Sequence, residues 1–225
     1  MSAIHLVRHG QASFGSDDYD QLSERGYAQA SALGQSWEAS GFLPTHAVAG
    51  SMKRHAQTAI AALDAAGPSD GYDVDNGWDE FPHESVVEAY APGRAASVTD
   101  PKEFQRLFVA AVARWISGEH DDDYPEPYTH FTGRVLAAFD RLSTSLGRGE
   151  SAVVFTSGGP LAIVAAHVLA GDAETWTPQA QALWPRLNTV AINAGVTTLI
   201  TGSSGRTLVS FNEHTHLPHD LVTYR

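Results

Sequence analysis

The sequence predicts an α/β fold: a three-layer sandwich with a mostly parallel central sheet flanked by helices, carrying a helical insertion at about residues 83–130. Three observations point there. Short apolar runs at Ala3–Val7, Ala47–Gly50 and Ala152–Thr156 alternate with helical patterns at 23–40, 53–66 and 158–170, the order expected of strand–helix crossover units. Each run ends at a glycine-bearing turn: Arg8-His9-Gly10, Gly50-Ser51, and Ser157-Gly158-Gly159. The composition, 43% apolar and 18% charged over 225 residues, is that of an ordinary globular domain.

The elements follow in order. Ala3–Val7 reads as a buried strand. Ser23 is a good N-cap for a helix to about Ser40, with Glu24 in its first turn and Gly41 as its stop. Ala47–Gly50 reads as a second, weaker strand. Lys53–Ala66 reads as a helix with Ala56, Ile60 and Leu63 inward, closed by Gly67-Pro68. Residues 68–100 read as loops with short pieces. Asp100-Pro101-Lys102-Glu103 is a strong helix start, and Phe104, Leu107, Phe108, Ala111, Val112, Trp115 and Ile116 form its apolar stripe. After an acidic loop at 118–128, a helix places Phe131, Val135, Phe139, Leu142 and Leu146 inward. Ala152–Thr156 is the clearest buried strand and restarts as the apolar helix to Ala170. The tail reads as strands at Thr189–Asn193, Val196–Thr201 and Thr207–Phe211, the last two joined by a turn at Gly202–Gly205. No internal repeat interrupts this order, so the whole of 1–225 reads as one domain.

Charge and composition exclude several functions. Fourteen Lys and Arg against 26 Asp and Glu leave a net charge of −12, which repels nucleic acid and anionic membranes at long range. No stretch approaches the ~20 apolar residues that span a bilayer. The first residues lack the pattern of a signal peptide. The chain has no Cys, hence no disulfide, thiolate metal site or cysteine nucleophile. The natural reading is a cytoplasmic protein. An anionic small substrate remains compatible with the charge, provided a few Arg gather in one pocket.

In open α/β sheets, sites form outside the carboxyl ends of the strands. Arg8-His9-Gly10, Ser51-Met52-Lys53-Arg54 and Thr156-Ser157-Gly158-Gly159 all stand at such exits. Arg54 presents a planar fork suited to an anion, and the helix starting at Gly158 offers backbone N–H groups and a positive dipole end. Two arginines, a histidine and a helix start at strand ends describe a phosphate site.

These residues resemble the histidine phosphatase superfamily, the phosphoglycerate mutase-like fold. Leu6-Val7-Arg8-His9-Gly10-Gln11-Ala12 resembles its R-H-G signature. Leu22-Ser23-Glu24-Arg25-Gly26-Tyr27-Ala28-Gln29-Ala30 resembles its L-[ST]-x-x-G-x-x-Q-A helix, and Ser51–Ala59 its S-x-x-x-R-A-x-Q-T-A segment. Residues 152–170 take the place of its strand–H-G-G–helix. The ordered set is far more specific than any single piece.

The resemblance implies that His9 takes the phosphoryl group as phosphohistidine, that Arg8 and Arg54 clamp the phosphoryl oxygens, and that an acid protonates the leaving oxygen. Glu80, in Trp78-Asp79-Glu80-Phe81, stands in the acid's place, with Asp79 and Glu84 as fallbacks. Gln11, Ser157 and the Gly158 backbone N–H are the expected further substrate contacts. No metal or cofactor is implied, and the expected partner is a small phosphorylated substrate. One departure matters: Ser157 stands where the family has a second pocket histidine. A serine can cap the helix and donate one hydrogen bond, but it supplies no charge. His55, His83 and His216 are candidates for the missing imidazole. Residues Phe14–Asp20 replace the long stretch that follows R-H-G in the mutases, which argues against a true phosphoglycerate mutase. Two alternatives stand beside the phosphatase: a non-catalytic phosphate-binding module, and a serine esterase using Ser157 at a degraded nucleophile elbow.

Overall fold

A computed structural model describes residues 1–13, 20–94 and 97–224. The helices are α1 (Glu24–Ser40), α2 (Lys53–Ala66), α3 (His83–Tyr90), α4 (Pro101–Ser117), α5 (Tyr128–Ser145), α6 (Gly158–Leu169) and α7 (Pro178–Val190). The strands are β1 (Ser2–Arg8), β2 (His46–Ala49), β3 (Asp73–Val74), β4 (Ser151–Thr156), β5 (Val196–Gly202) and β6 (Gly205–Glu213). The chain divides into two compact units, one of Met1–Glu80 with Val135–Arg225, the other of Phe81–Arg134.

The first unit holds a six-stranded sheet in the order β3-β2-β4-β1-β5-β6. β1, β2, β3 and β4 run parallel; β5 pairs antiparallel with β1, and β6 antiparallel with β5, so β5 alone runs against the other five. The mostly parallel α/β sandwich is therefore the fold present. β1 and β4 lie side by side in register, Arg8 opposite Thr156, and β2 flanks β4. Three neighbouring parallel strands thus discharge their chains at one edge of the sheet, and this brings positions 9, 50 and 157 together.

Burial explains the layers. Val7, Ala49, Val153 and Phe155 form one apolar face with Leu33 and Trp37 of α1 and Ala59, Ala62, Leu63 and Ala66 of α2. Gly34 lets the two helices touch, since a Cβ there would stand 2.1 Å from the Ala62 carbonyl oxygen. α6 is buried from Gly158 through Val168, the mark of a helix enclosed on all sides. In the second unit, Phe81 stacks on Trp115 at 4.7 Å between ring centres, and Phe131 and Tyr128 close the cluster.

Several expectations are corrected. Thr189–Asn193 is not a strand: α7 runs to Val190, capped by Thr177 accepting from Ala180 N, with Pro178 opening it and Trp184 buried. The β-branched run at its end favours strand only in isolation. Within 68–100, expected as loops with short pieces, residues 83–90 form a helix at the start of the expected helical insertion. The inward face of α2 is set by His55, Thr58, Ala59, Ala62, Leu63 and Ala66; Ile60 is 49% exposed. Phe104, expected in the α4 stripe, is exposed, whereas Leu107, Ala111 and Trp115 are buried. Among the described residues, no helix is long and apolar enough to cross a membrane.

Candidate functional site

The turn Arg8-His9-Gly10 is held on every side. His9 N donates to the Thr156 carbonyl at 2.8 Å, which continues the β1–β4 pairing by one residue. Gly10 N donates to Thr58 Oγ1 at 3.0 Å and Gln11 N to Gln29 Oε1 at 2.8 Å. Gln29 is fully buried and passes its amide to the Leu221 carbonyl and Thr223 Oγ1, both at 2.7 Å. Thr223 in turn donates to Asn193, whose side chain donates to the His9 carbonyl at 3.1 Å. Gly10 and Gly26 are glycines because the turn sits directly on the start of α1. A Cβ on Gly10 would lie 2.4 Å from the Gly26 carbonyl oxygen, and one on Gly26 would lie 2.2 Å from the Gln11 carbonyl oxygen.

His9 is 8% exposed, and its Nδ1 lies 2.7 Å from the Gly10 carbonyl oxygen. A carbonyl only accepts, so the proton sits on Nδ1 and Nε2 carries a lone pair. Burial, then the Arg54 and Arg8 guanidinium groups, hold the His9 pKa well below its ordinary value, keeping the ring neutral. Both arginines are thus near enough to this imidazole to disfavour its charged form. Arg54 is buried on the first turn of α2; its Nη1 donates to Asp20 at 2.7 Å, and its buried Nε has no partner among the described residues. Arg8 reaches across from β1, donating through Nη1 to the carbonyls of Ala191 and, at 3.0 Å, Tyr224. Its Nε passes Gly158, 3.6 Å from where a Cβ would stand there, and Asn188 Oδ1 comes within 2.6 Å of the same point.

Beside His9 lies a second imidazole. The rings of His9 and His55 are 5.8 Å apart. His55 Nε2 is 2.7 Å from Ser157 Oγ, and both residues are fully buried. On its other side, His55 Nδ1 faces Asp79 Oδ1 at 3.7 Å, an ion-pair rather than a hydrogen-bond separation. Asp79 is fixed by Ser51, whose N–H and hydroxyl donate to its two oxygens at 2.6 and 2.5 Å. Burial works to raise the Asp79 pKa, but His55 and Ser51 outweigh it and the net is downward. Burial pushes His55 down, with Asp79 opposing. Glu80 accepts a hydrogen bond from Gly159 N at 3.1 Å, so its carboxylate sits at the positive end of α6.

The structure therefore brings His9, Arg8, Arg54, Ser157, Gly158 and Glu80 to one edge of the sheet. Gln11 follows on the same turn, and Ser23 Oγ lies within hydrogen-bond distance of its main-chain and side-chain oxygens. Ser157 occupies the N-cap position of α6 but makes no side-chain cap bond; its hydroxyl is directed to His55 instead. Of the three candidate histidines it is thus His55 that touches Ser157. His216 lines a groove with His5, Trp37 and Phe42, and His83 and Glu84 belong to the second unit. Residues 14–19 of the segment that departs from the mutases lie outside the described residues. Sequence reasoning missed Asp20, Asn188 and Asn193. Only Asn188 had a readable signal, the Thr177-Pro178 helix start that places it on α7. Among the described residues, no group of three or more His, Asp or Glu is placed to hold a metal ion.

Among solved structures, the fold is similar to a phosphoserine phosphatase mutant from Entamoeba histolytica bound to phosphoserine (TM-score 0.65, 16% identity, covering 97% of this chain and 100% of that one). It is also similar to a mycobacterial glucosyl-3-phosphoglycerate phosphatase (TM-score 0.60, 22% identity, 95% and 99%). A third is a phosphoglycerate mutase from Bacillus anthracis (TM-score 0.61, 18% identity, 96% and 94%). No curated protein sequence matches the chain significantly. The sequence profile of the histidine phosphatase superfamily (branch 1) matches residues 4–214, nearly the whole chain, and with the R-H-G turn standing at the carboxyl edge of this sheet the protein belongs to that superfamily.

Proposed function

We propose that this protein is a phosphomonoester hydrolase that works through a phosphohistidine on His9, with the whole chain acting as one domain interrupted by its helical insertion. The observation that carries the reading is the state of His9: a buried imidazole whose Nδ1 proton is tied to Gly10, leaving a lone pair on Nε2, with Arg54 and Arg8 among the causes that keep the ring neutral. A neutral imidazole is a competent nucleophile near pH 7.

The proposed steps give each group one task. The Nε2 lone pair attacks phosphorus and the P–O ester bond breaks. Arg8 and Arg54 balance the charge on the equatorial oxygens. The leaving oxygen takes a proton from Glu80. Water then attacks the phosphohistidine and gives a proton back to Glu80. The N–P bond breaks, its electron pair returns to the imidazole, and inorganic phosphate departs. Gln11, Ser157 and the Gly158 N–H complete the cradle. The substrate class is a small organic phosphate.

The test is turnover of an aryl phosphate in EDTA by the wild type and His9→Ala. The expected result is hydrolysis by the wild type and none by the variant. Equal rates would remove His9 as nucleophile, and an inert wild type that still binds vanadate would favour a phosphate-binding module.

A further inference from the structure

Ser157, His55 and Asp79 form a connected series that the steps above do not use in full. Its parts come from three separate elements: the β4–α6 turn, α2, and the loop before the second unit. Gly50 makes the room for it. A Cβ there would stand 2.2 Å from His55 Nδ1 and 2.7 Å from Asp79 Oδ1. Asp79 is held by two hydrogen bonds from Ser51, so its position does not depend on His55. The Ser157 hydroxyl stands where it could cap α6 and gives up that bond to meet His55 at 2.7 Å.

We propose that Ser157 donates a hydrogen bond to a phosphoryl oxygen, and that His55, beside Asp79, is the positioning residue that holds a proton on Nε2 and so turns the Ser157 hydroxyl outward. With His55 neutral and its Nδ1 proton facing the Asp79 carboxylate, Nε2 accepts from Ser157 and the hydroxyl is turned inward. When the ester binds as its monoanion, its proton passes to Ser157 Oγ while the Ser157 hydroxyl proton moves to His55 Nε2. Nε2–H then donates to Ser157 Oγ, and the Ser157 hydroxyl proton turns to the phosphoryl oxygen. The groups facing His55 set this balance: Asp79 from the loop favours the added proton, Glu80 joins it only once it has given up its own proton, Arg54 from its own helix opposes it, and His9 from the β1 exit stands across the pocket. Fully buried, the pair donates without exchanging bonds with water.

The same series has the connectivity of a serine hydrolase triad, but two features separate it. Ser157 has an extended backbone (φ −111°, ψ 173°), not the strained turn of a nucleophile elbow. The Gly159 N–H, which would help stabilise an oxyanion, is bound to Glu80.

The inference rests on the phosphatase reading, and the experiment separates the two. Turnover of p-nitrophenyl phosphate and inhibition by vanadate are measured for the wild type, Ser157→Ala, His55→Ala, the double variant, His55→Ala/Ser157→His, and His9→Ala. Each single substitution is expected to lower kcat/KM about ten- to hundredfold and to weaken vanadate binding. The double variant should lose no more than either single, because the two residues act as one unit. Since the side chains touch, moving the imidazole from 55 to 157 returns it to the vacated volume and should restore most of the loss. Independent, multiplying losses or a wild-type rate in His55→Ala would overturn the relay. Should His55→Ala fail to fold, Ser157→Ala, one atom smaller, decides: no loss of rate overturns it. A fully active His9→Ala would instead overturn the phosphatase reading. Hydrolysis of p-nitrophenyl acetate that needs Ser157 but not His9 would make the hydroxyl a nucleophile and overturn the relay as well.

Discussion

Replacing Arg54 by Met separates stability from activity in this pocket. Arg54 is 5% exposed, and its Nη1 is held by Asp20 while the buried Nε has no partner among the described residues. A phosphoryl group seated at His9 would take charge-assisted hydrogen bonds from this guanidinium, each worth about 1.5–3 kcal/mol. Two such bonds amount to about 3–6 kcal/mol, or roughly a 10²- to 10⁴-fold fall in kcat/KM on aryl phosphate. The fold should tolerate the change. Met replaces a buried cation that lies beside Arg8 and His9, and the Asp20 side chain it abandons is 35% exposed and can rehydrate. Removing one of the two guanidinium groups also lets the His9 pKa rise, though burial, the largest cause of its depression, keeps it below the ordinary value. Steady-state kinetics, a melting curve and an NMR titration of His9 read the three effects. Activity within threefold of the wild type, in a folded variant, would refute the reasoning.

Glu80→Gln should slow an alkyl phosphate, whose leaving oxygen needs a proton, far more than an aryl phosphate with an acidic phenol; equal losses on both would remove Glu80 as the acid. Gly10→Ala places a Cβ 2.4 Å from the Gly26 carbonyl oxygen, so about 1–3 kcal/mol of stability should be lost along with turnover, measured by denaturant unfolding and kinetics. Stability should also fall with acid. His9, His55 and His167 are held below their ordinary value, near 6.5, chiefly by burial. The unfolded chain therefore binds protons that the folded one refuses, and the contribution is complete above pH 6.5 and lost below it. Stability should therefore fall between pH 7 and 5.5, and a urea midpoint that stays flat over that range would contradict this.

The elements that frame the site were legible because their signals are local. Ser23 caps α1 by accepting from Gly26 N, and Gly41 ends it in the left-handed conformation. Asp100-Pro101 opens α4, and the apolar run of β4 can only be buried. α7 was lost because the run from Thr189 to Ile192 has strand propensity that outweighs the Thr177-Pro178 start when each is read alone. The face of α2 was misplaced because Ala59 and Ala62 bury as well as Ile60 would, and packing against Gly34 of α1 selects the small residues. Within the site, Arg8, His9 and Arg54 stood out through their residue types. The pairing of Ser157 with His55 had no local trace: the two lie 102 positions apart and meet only because β4 and β2 are neighbours. Gln29 and Asn193 likewise acquire their roles only when the C-terminal segment closes over the R-H-G turn.

The proposed nucleophile can be tested directly by quenching steady-state turnover in alkali, where a phosphohistidine would survive, and mapping any phosphorylated peptide by mass spectrometry. The phosphoryl group should be found on the peptide containing His9 and be absent from His9→Ala. A phosphoryl group on Ser157, or turnover in His9→Ala with no adduct at all, would contradict it.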